Sequence, residues 1–401
     1  MSSSLAVAWI VVNAVHYHRA RWQAVASQPD IHADLIAIRA KDEVSVLETE
    51  HATSCSYRTK VLFPDEQPKS RRTVKSALSR YLTETNPDIV CLNGWSLYGS
   101  WEGLSWCNAN RKKAILMCDS NEHDAPRRWL SEKIKSSFVR SCSAALVGGQ
   151  TNASYLRKLG MADDQIFLGY DVVDNDHFSS KSTIARATEP SVRKKLGLPR
   201  RYILACARFT LKKNLPFLVT AYSSFVRRFG SDAPSLVMLG DGPLRSELES
   251  LTLSLNLKHK VHFHGFQSYE TIPSYYALAE AFVHPSTVEQ WGLVVNEAMA
   301  CGTPVLVSKP CGAAAELVKE GVTGYTFDPQ NRDELAARIY DLTSDPERRA
   351  GLSRNCLDEI ALWSPARFVS GLRQAMHRAR GDYRGPSPLN RLLARGLSGL
   401  R

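Results

Sequence analysis

From end to end, the chain alternates between short apolar runs and stretches with helical periodicity. LAVAWIVV near the start is followed by the helix candidate HRARWQAVASQ and then by ADLIAIRA, DIVCLNG, AILMCDS and AALVGG. The second half repeats the pattern with YILACAR, LVMLGDG, VHFHG, AFVHPS and PVLVS. Strands that alternate with helices in this way form a parallel, doubly wound sheet. At 401 residues the chain is too long for one typical core, and it suits two domains of roughly 150 to 200 residues each. The expected class is α/β, with two Rossmann-like domains facing a cleft.

Residues 1–180 read as the N-terminal domain and 200–364 as the C-terminal one. Between them, 181–199 is rich in serine, lysine, arginine and alanine with little apolar periodicity, and reads as a linker. A helix is expected over 365–380, followed by a basic tail over 381–401 whose leucines and arginines alternate at roughly helical spacing.

Hydrophobic residues at 44% and charged residues at 23% belong to a globular protein with a real core. Of the formal charge of +11, residues 366–401 carry +7, from eight arginines against one acid, Asp382. No zinc-finger spacing or aromatic RNA-binding signature accompanies that charge, so nucleic acid is not the expected partner. Phosphate-bearing ligands and peripheral contact with an anionic membrane surface account for it. Nine cysteines are scattered singly, with no C-x-x-C pair, which fits a reduced cytoplasmic compartment. The run Leu5–Val12 lacks a basic lead and is far shorter than a membrane span, so it reads as a first buried strand.

The densest chemistry lies in VHPSTVEQWGLVVNEAMACGTPVLVSKPCGAAAELV, where Glu289 precedes Gly292 and Glu297 follows it. A helix starting near Gly292 offers the N–H groups of its first turn and a positive dipole end. EQWGLVVNE followed by AMACGTPVLVS resembles the E-x7-E signature of retaining glycosyltransferases of family 4 (glycosyltransferase group 1), which have the GT-B fold. The resemblance implies a C-terminal nucleotide-sugar donor domain and an N-terminal acceptor domain, with the last helix crossing back onto the first. It implies that Glu297 holds the ribose hydroxyls, that Glu289 faces the hydroxyls of the donor sugar, and that Gly292, Leu293 and Val294 take the diphosphate.

ILACARFTLKKNLPFL is similar to another segment of that family, with Arg208 and Lys213 five positions apart just after a strand. Cations there stabilise the charge that develops on a departing diphosphate. Lys212 competes with Lys213, and the register to Asn214 favours Lys213. In LVMLGDGPLRSEL, Gly240 and Gly242 allow a tight turn beside the nucleotide. Cys311 stands where the family commonly has glycine. A nucleophile would need a base and an oxyanion site, so a small buried cysteine is the expectation.

In the first domain the likeness is looser. His16, Tyr17, His18 and Arg19 follow the first strand, and the resemblance implies an acceptor wall there rather than a metal site. After KAILMC come Asp119 and, four residues on, His123. These either orient the acceptor hydroxyl or the transferred sugar, or belong to a helix cap supplied by Asp119 or Ser120. GYDVVDNDHF carries Asp174-Asn175-Asp176, a D-x-D triplet of the kind that binds metal and diphosphate in the GT-A fold. An inter-domain turn is the preferred reading.

The sequence therefore points to a hexosyltransferase-type, retaining enzyme. It would move a sugar from a nucleotide-sugar donor to a glycan, glycolipid or small-molecule hydroxyl acceptor, in polysaccharide or glycoconjugate biosynthesis. No cofactor and no metal are expected. The rivals are a GT-B nucleotide-sugar epimerase and a non-catalytic sugar-nucleotide-binding partner. The expected location is cytoplasmic, at the inner face of the membrane if peripheral.

Overall fold

Successive residues of the first strand, β1 (Leu5–Val11), enter different cores: Ala8 and Ile10 one buried cluster, Val7, Trp9 and Val11 another. A strand covered on both faces has no polar side to show, which is why it reads as one continuous apolar run. The computed structural model describes residues 4–13, 15–39, 57–64 and 70–381. The basic tail expected over 381–401 lies, from residue 382 on, outside the described residues, as does the side chain of His16.

The chain divides into two units, one of Met1–Val172 with Pro365–Arg401, the other of Val173–Ser364. In the first, β1 is joined by β2 (Ile31–Arg39), β3 (Arg58–Phe63), β4 (Ile89–Asn93), β5 (Lys113–Cys118), β6 (Ala144–Val147) and β7 (Ile166–Leu168). They form a seven-stranded sheet in the order β3-β2-β1-β4-β5-β6-β7, with every pairing parallel. The helix Pro365–Arg380 belongs to this unit, burying Phe368, Leu372, Ala375 and Ala379 in the cluster that holds Trp9 and Tyr170.

The second unit contains β8 (Tyr202–Cys206), β9 (Ser235–Leu239), β10 (Val261–Gly265), β11 (Ala281–His284), β12 (Val305–Ser308) and β13 (Gly324–Phe327). Its sheet runs β10-β9-β8-β11-β12-β13, again all parallel. Tyr202 and Leu204 enter one core and Ile203 and Ala205 the other. The expected pair of doubly wound parallel sheets is therefore present. In each sheet the strand order reverses next to the unit's first strand, between β1 and β4 and between β8 and β11. In such sheets ligands sit beyond the carboxyl ends of the strands at that reversal.

Residues 181–199, expected as a linker, are mostly helical. Helix Asn175–Ala187 runs into helix Glu189–Leu196, which begins with a proline in its first turn and ends at Gly197. The chain changes units earlier, at Val172–Val173. The buried stripe of the first of these helices is Phe178, Ser182 and Ala185, at helical spacing but mostly small and partly polar. Its apolar period is therefore faint in the sequence.

Candidate functional site

The two strands that flank the reversal in the second sheet each end in a charged loop. Beyond β8 come Ala207 and Arg208, then a short 3-10 turn, Leu211–Lys213, that closes at Asn214 in the left-handed region. Arg208 is exposed; its carbonyl accepts from Thr210 N at 2.8 Å, while its guanidinium makes no hydrogen bond or ion pair with another described residue. Lys212 is also exposed, and its carbonyl accepts from Thr287 N at 2.9 Å, tying this loop to the one after β11. Lys213 is the lysine that turns inward, and its ammonium pairs with the Glu289 carboxylate.

Around Glu289 the residues after β11 build a small polar cluster. His284 Nε2 lies 3.1 Å from Glu289 Oε2, and Ser286 Oγ donates to the same oxygen at 3.2 Å. Burial alone would raise the Glu289 carboxyl. The hydrogen bond from His284 and the charge of Lys213 outweigh it and hold the group well below the usual carboxylate range. His284 is 1% exposed, and burial lowers its pKa against the pull of Glu289. Because an ionised carboxylate only accepts, a proton on Nε2 makes the contact with Glu289. The backbone of Glu289 is fixed as well, its carbonyl accepting from Gly312 N at 3.3 Å.

Gly292 then turns the chain into helix Leu293–Ala300 with φ +101°. A Cβ there would stand 3.0 Å from Cys311 Sγ and 3.4 Å from Glu289 Cγ, so glycine meets both the backbone and the space requirement. Leu293 and Val294 form the half-buried first turn. Glu297 lies a turn further in, 7% exposed, and its Oε2 accepts from the Tyr276 hydroxyl at 3.0 Å. On the β9 side, Gly240 has φ +108°, and a Cβ would meet the Ala207 carbonyl oxygen at 1.9 Å. Gly242 passes close to the Phe209 backbone in the same turn. The two glycines let the β9 loop run against the loop that carries Arg208.

Cys311 is a packing residue. Its thiol donates to the Trp291 carbonyl at 2.7 Å, and burial, reinforced by Glu289, pushes its pKa up to about 12. It is not a thiolate near neutrality.

Outside the second sheet's loops the structure corrects two expectations and narrows a third. His18 is 6% exposed, with Nδ1 3.2 Å from the Asn13 carbonyl and its ring 4.9 Å from that of Trp9, so it packs in the core and forms no wall. Neither Asp119 nor Ser120 caps a helix. The next helix, Trp129–Val139, starts after Arg128 with no side-chain cap, and the carbonyls of Asp119 and Ser120 accept from the Asn152 amide. Asp119 is half-buried at the end of β5, while His123 is exposed, with its backbone N–H on Asn121 Oδ1 at 2.9 Å. The D-x-D triplet is a helix start: Asp174 accepts from His177 N at 3.0 Å as N-cap, and the Asn175 amide donates to the Ile360 carbonyl at 2.8 Å. An N-cap aspartate with a second acid in the first turn suits the positive end of a helix. Among the described residues no group of histidine, cysteine or acidic side chains is arranged to hold a metal ion.

His284, Ser286 and Tyr276 were not singled out in the sequence as partners of the glutamates. Their only advance sign is that His284 and Ser286 precede Glu289 in the compact HPSTVE segment.

Two doubly wound parallel sheets, with the charged loops of the second gathered at its reversal, define the GT-B class of folds. Residues 188–357 match the family described as glycosyl transferases group 1. It is 34% identical over 182 residues to alpha-D-kanosaminyltransferase of Streptomyces kanamyceticus, covering 45% of this chain and 46% of that one. It is 36% identical over 226 residues to an uncharacterized glycosyltransferase of Methanocaldococcus jannaschii, covering 56% of each. The matched region thus spans about half the length of these relatives. Anabaena HepE, solved in complex with UDP, superposes with a TM-score of 0.74 at 17% identity, over 93% of this chain and 99% of that one. A likeness at that identity speaks for the fold alone.

Proposed function

We propose that this chain transfers a sugar from a nucleoside-diphosphate sugar to a hydroxyl acceptor with retention of anomeric configuration, in polysaccharide or glycoconjugate biosynthesis. The observation that carries the reading is the convergence of Arg208, Lys213, Glu289 and Gly292 on the loops of β8 and β11. As the sugar–phosphate bond lengthens, negative charge gathers on the departing diphosphate. Arg208 meets it with a guanidinium fork, Lys213 with a point charge, and the first turn of the Gly292 helix with backbone N–H groups.

Glu289, kept ionised by Lys213 and oriented by His284 and Ser286, accepts from the hydroxyls of the donor sugar. Glu297, held by Tyr276, accepts from the ribose. Asp119 and His123 are the acceptor-side candidates of the first unit. No protein nucleophile is required: the acceptor attacks on the face the diphosphate leaves, and the leaving phosphate takes the acceptor proton. Positioning and charge stabilisation then supply most of the acceleration. The basic groups do the neutralising, so no metal ion enters. The eight described cysteines are free thiols, which supports a reducing cytoplasmic compartment.

Labelled nucleotide sugars, screened first for binding and then incubated with and without hydroxyl acceptors, test the proposal. UDP-sugars come first because HepE is a UDP complex. Acceptor-dependent transfer with a retained anomer supports it. Isomer formation without acceptor would make the chain an epimerase, and binding without turnover a non-catalytic partner.

A further inference from the structure

Two large apolar side chains stand next to each other in solvent on the first unit. Trp129 is 75% exposed and Leu130 64%, the only consecutive pair among the exposed large hydrophobic residues described. They open the helix Trp129–Val139, whose other end buries Phe138 and Val139.

The pair is held out rigidly. Arg127, two residues before Trp129, donates to the Glu122 carbonyl at 2.6 Å and to the Tyr155 hydroxyl at 2.8 Å, and pairs with Asp124 at 2.5 Å. Lys135, further along the helix, reaches Glu132 at 2.9 Å and Tyr155 at 3.0 Å.

These contacts also sort the charges. Each nearby acid already holds a cation: Glu122 has Lys158, Asp124 has Arg127, and Glu132 has Lys135. Arg128 and Lys133 take part in none of these pairs and are exposed, with the Lys133 ammonium 5.9 Å from the Trp129 ring centroid. The outward face is thus an indole and a leucine flanked by two cations, on a chain whose formal charge is +11.

An indole favours the boundary between headgroups and hydrocarbon, a leucine beside it adds apolar area, and flanking basic side chains add attraction to anionic headgroups. We propose that the Trp129–Leu130 face docks this chain on an anionic lipid surface. The surface is a few residues wide and shallow, which suits peripheral attachment. Among the described residues no helix is long and apolar enough to cross a membrane.

The full-length chain would be co-sedimented at low salt with vesicles of phosphatidylcholine alone and with vesicles containing phosphatidylglycerol. This reads binding rather than turnover, so it stands apart from the sugar-transfer reading. The wild type is expected to partition onto the anionic vesicles, and a W129S/L130S chain to lose at least about tenfold of that partition with an unchanged thermal midpoint. An R128E/K133E chain is expected to lose the preference for anionic lipid. Unchanged partition of W129S/L130S overturns the proposal, as does a loss confined to a chain ending at Asp382. Absence of wild-type binding to either vesicle also overturns it and would leave a protein as the partner of this face.

Discussion

Lys213 and Glu289 lie 76 residues apart in the chain and form one ion pair where the loops beyond β8 and β11 meet. The pair joins the cation expected at the diphosphate to the carboxylate expected at the donor sugar. His284 and Lys213 together hold the Glu289 carboxyl in its ionised form. The exposed Arg208 guanidinium, by contrast, makes no ion pair with another described residue.

That difference separates two substitutions. Arg208→Ala should leave stability within about 0.5 kcal/mol of the wild type while reducing kcat by about 100- to 1,000-fold. Lys213→Ala should reduce kcat similarly but also lower the melting midpoint, because it strands the Glu289 carboxylate. Steady-state kinetics paired with thermal melts check both; wild-type-like turnover in either variant would remove that side chain from the reaction.

Glu289 should also leave a signature in the dependence of stability on pH. Its folded pKa is depressed below the ordinary 4.5, so the stability it contributes is complete above that value and is lost as pH falls toward the folded pKa. At pH 7, Glu289→Gln should cost about 2 kcal/mol. This is less than the ~3–5 kcal/mol of breaking a fully buried pair, since the two side chains keep 15% and 13% exposure. Urea melts at pH 7, 5, 4 and 3 should show the gap between wild type and variant narrowing below pH 5. A gap that widens on acidification would contradict the assigned charge state.

The architecture was legible because strands buried on both faces leave continuous apolar runs, as β1 and β8 do. The E-x7-E segment was legible because two glutamates and a glycine in fixed register are a local pattern. The partners of those glutamates were not, since which side chain meets Glu289 depends on how the β8 and β11 loops meet. His18 misled because a histidine after a strand looks polar, while its ring packs on Trp9 and its Nδ1 finds a carbonyl. The Ser182–Ala185 stripe looked like linker because small residues give a weak apolar period even where they are buried.

Gly240 makes a purely structural prediction. Gly240→Ala would combine a left-handed φ of +108° with a contact of 1.9 Å to the Ala207 carbonyl oxygen, and that neighbour is backbone and cannot rotate away. The expected loss is at least about 2–3 kcal/mol in urea melts. A near-neutral result would mean that the β9 loop does not run against Ala207 as described.

Asp174 distinguishes a helix cap from a metal ligand. As N-cap of Asn175–Ala187 it satisfies the His177 N–H at 3.0 Å, so Asp174→Ala should cost about 1 kcal/mol of stability. Turnover, once measured, should be nearly unchanged and should survive excess chelator, because in the proposed reaction Arg208, Lys213 and the Gly292 helix start would neutralise the diphosphate without a metal ion. A metal-diphosphate site at Asp174 and Asp176 requires the reverse: little change in stability and loss of activity in the variant. It also requires wild-type activity that chelator abolishes and manganese restores. Scoring melt and rate on the same preparations decides between the two, since a cap acts on the first and a ligand on the second.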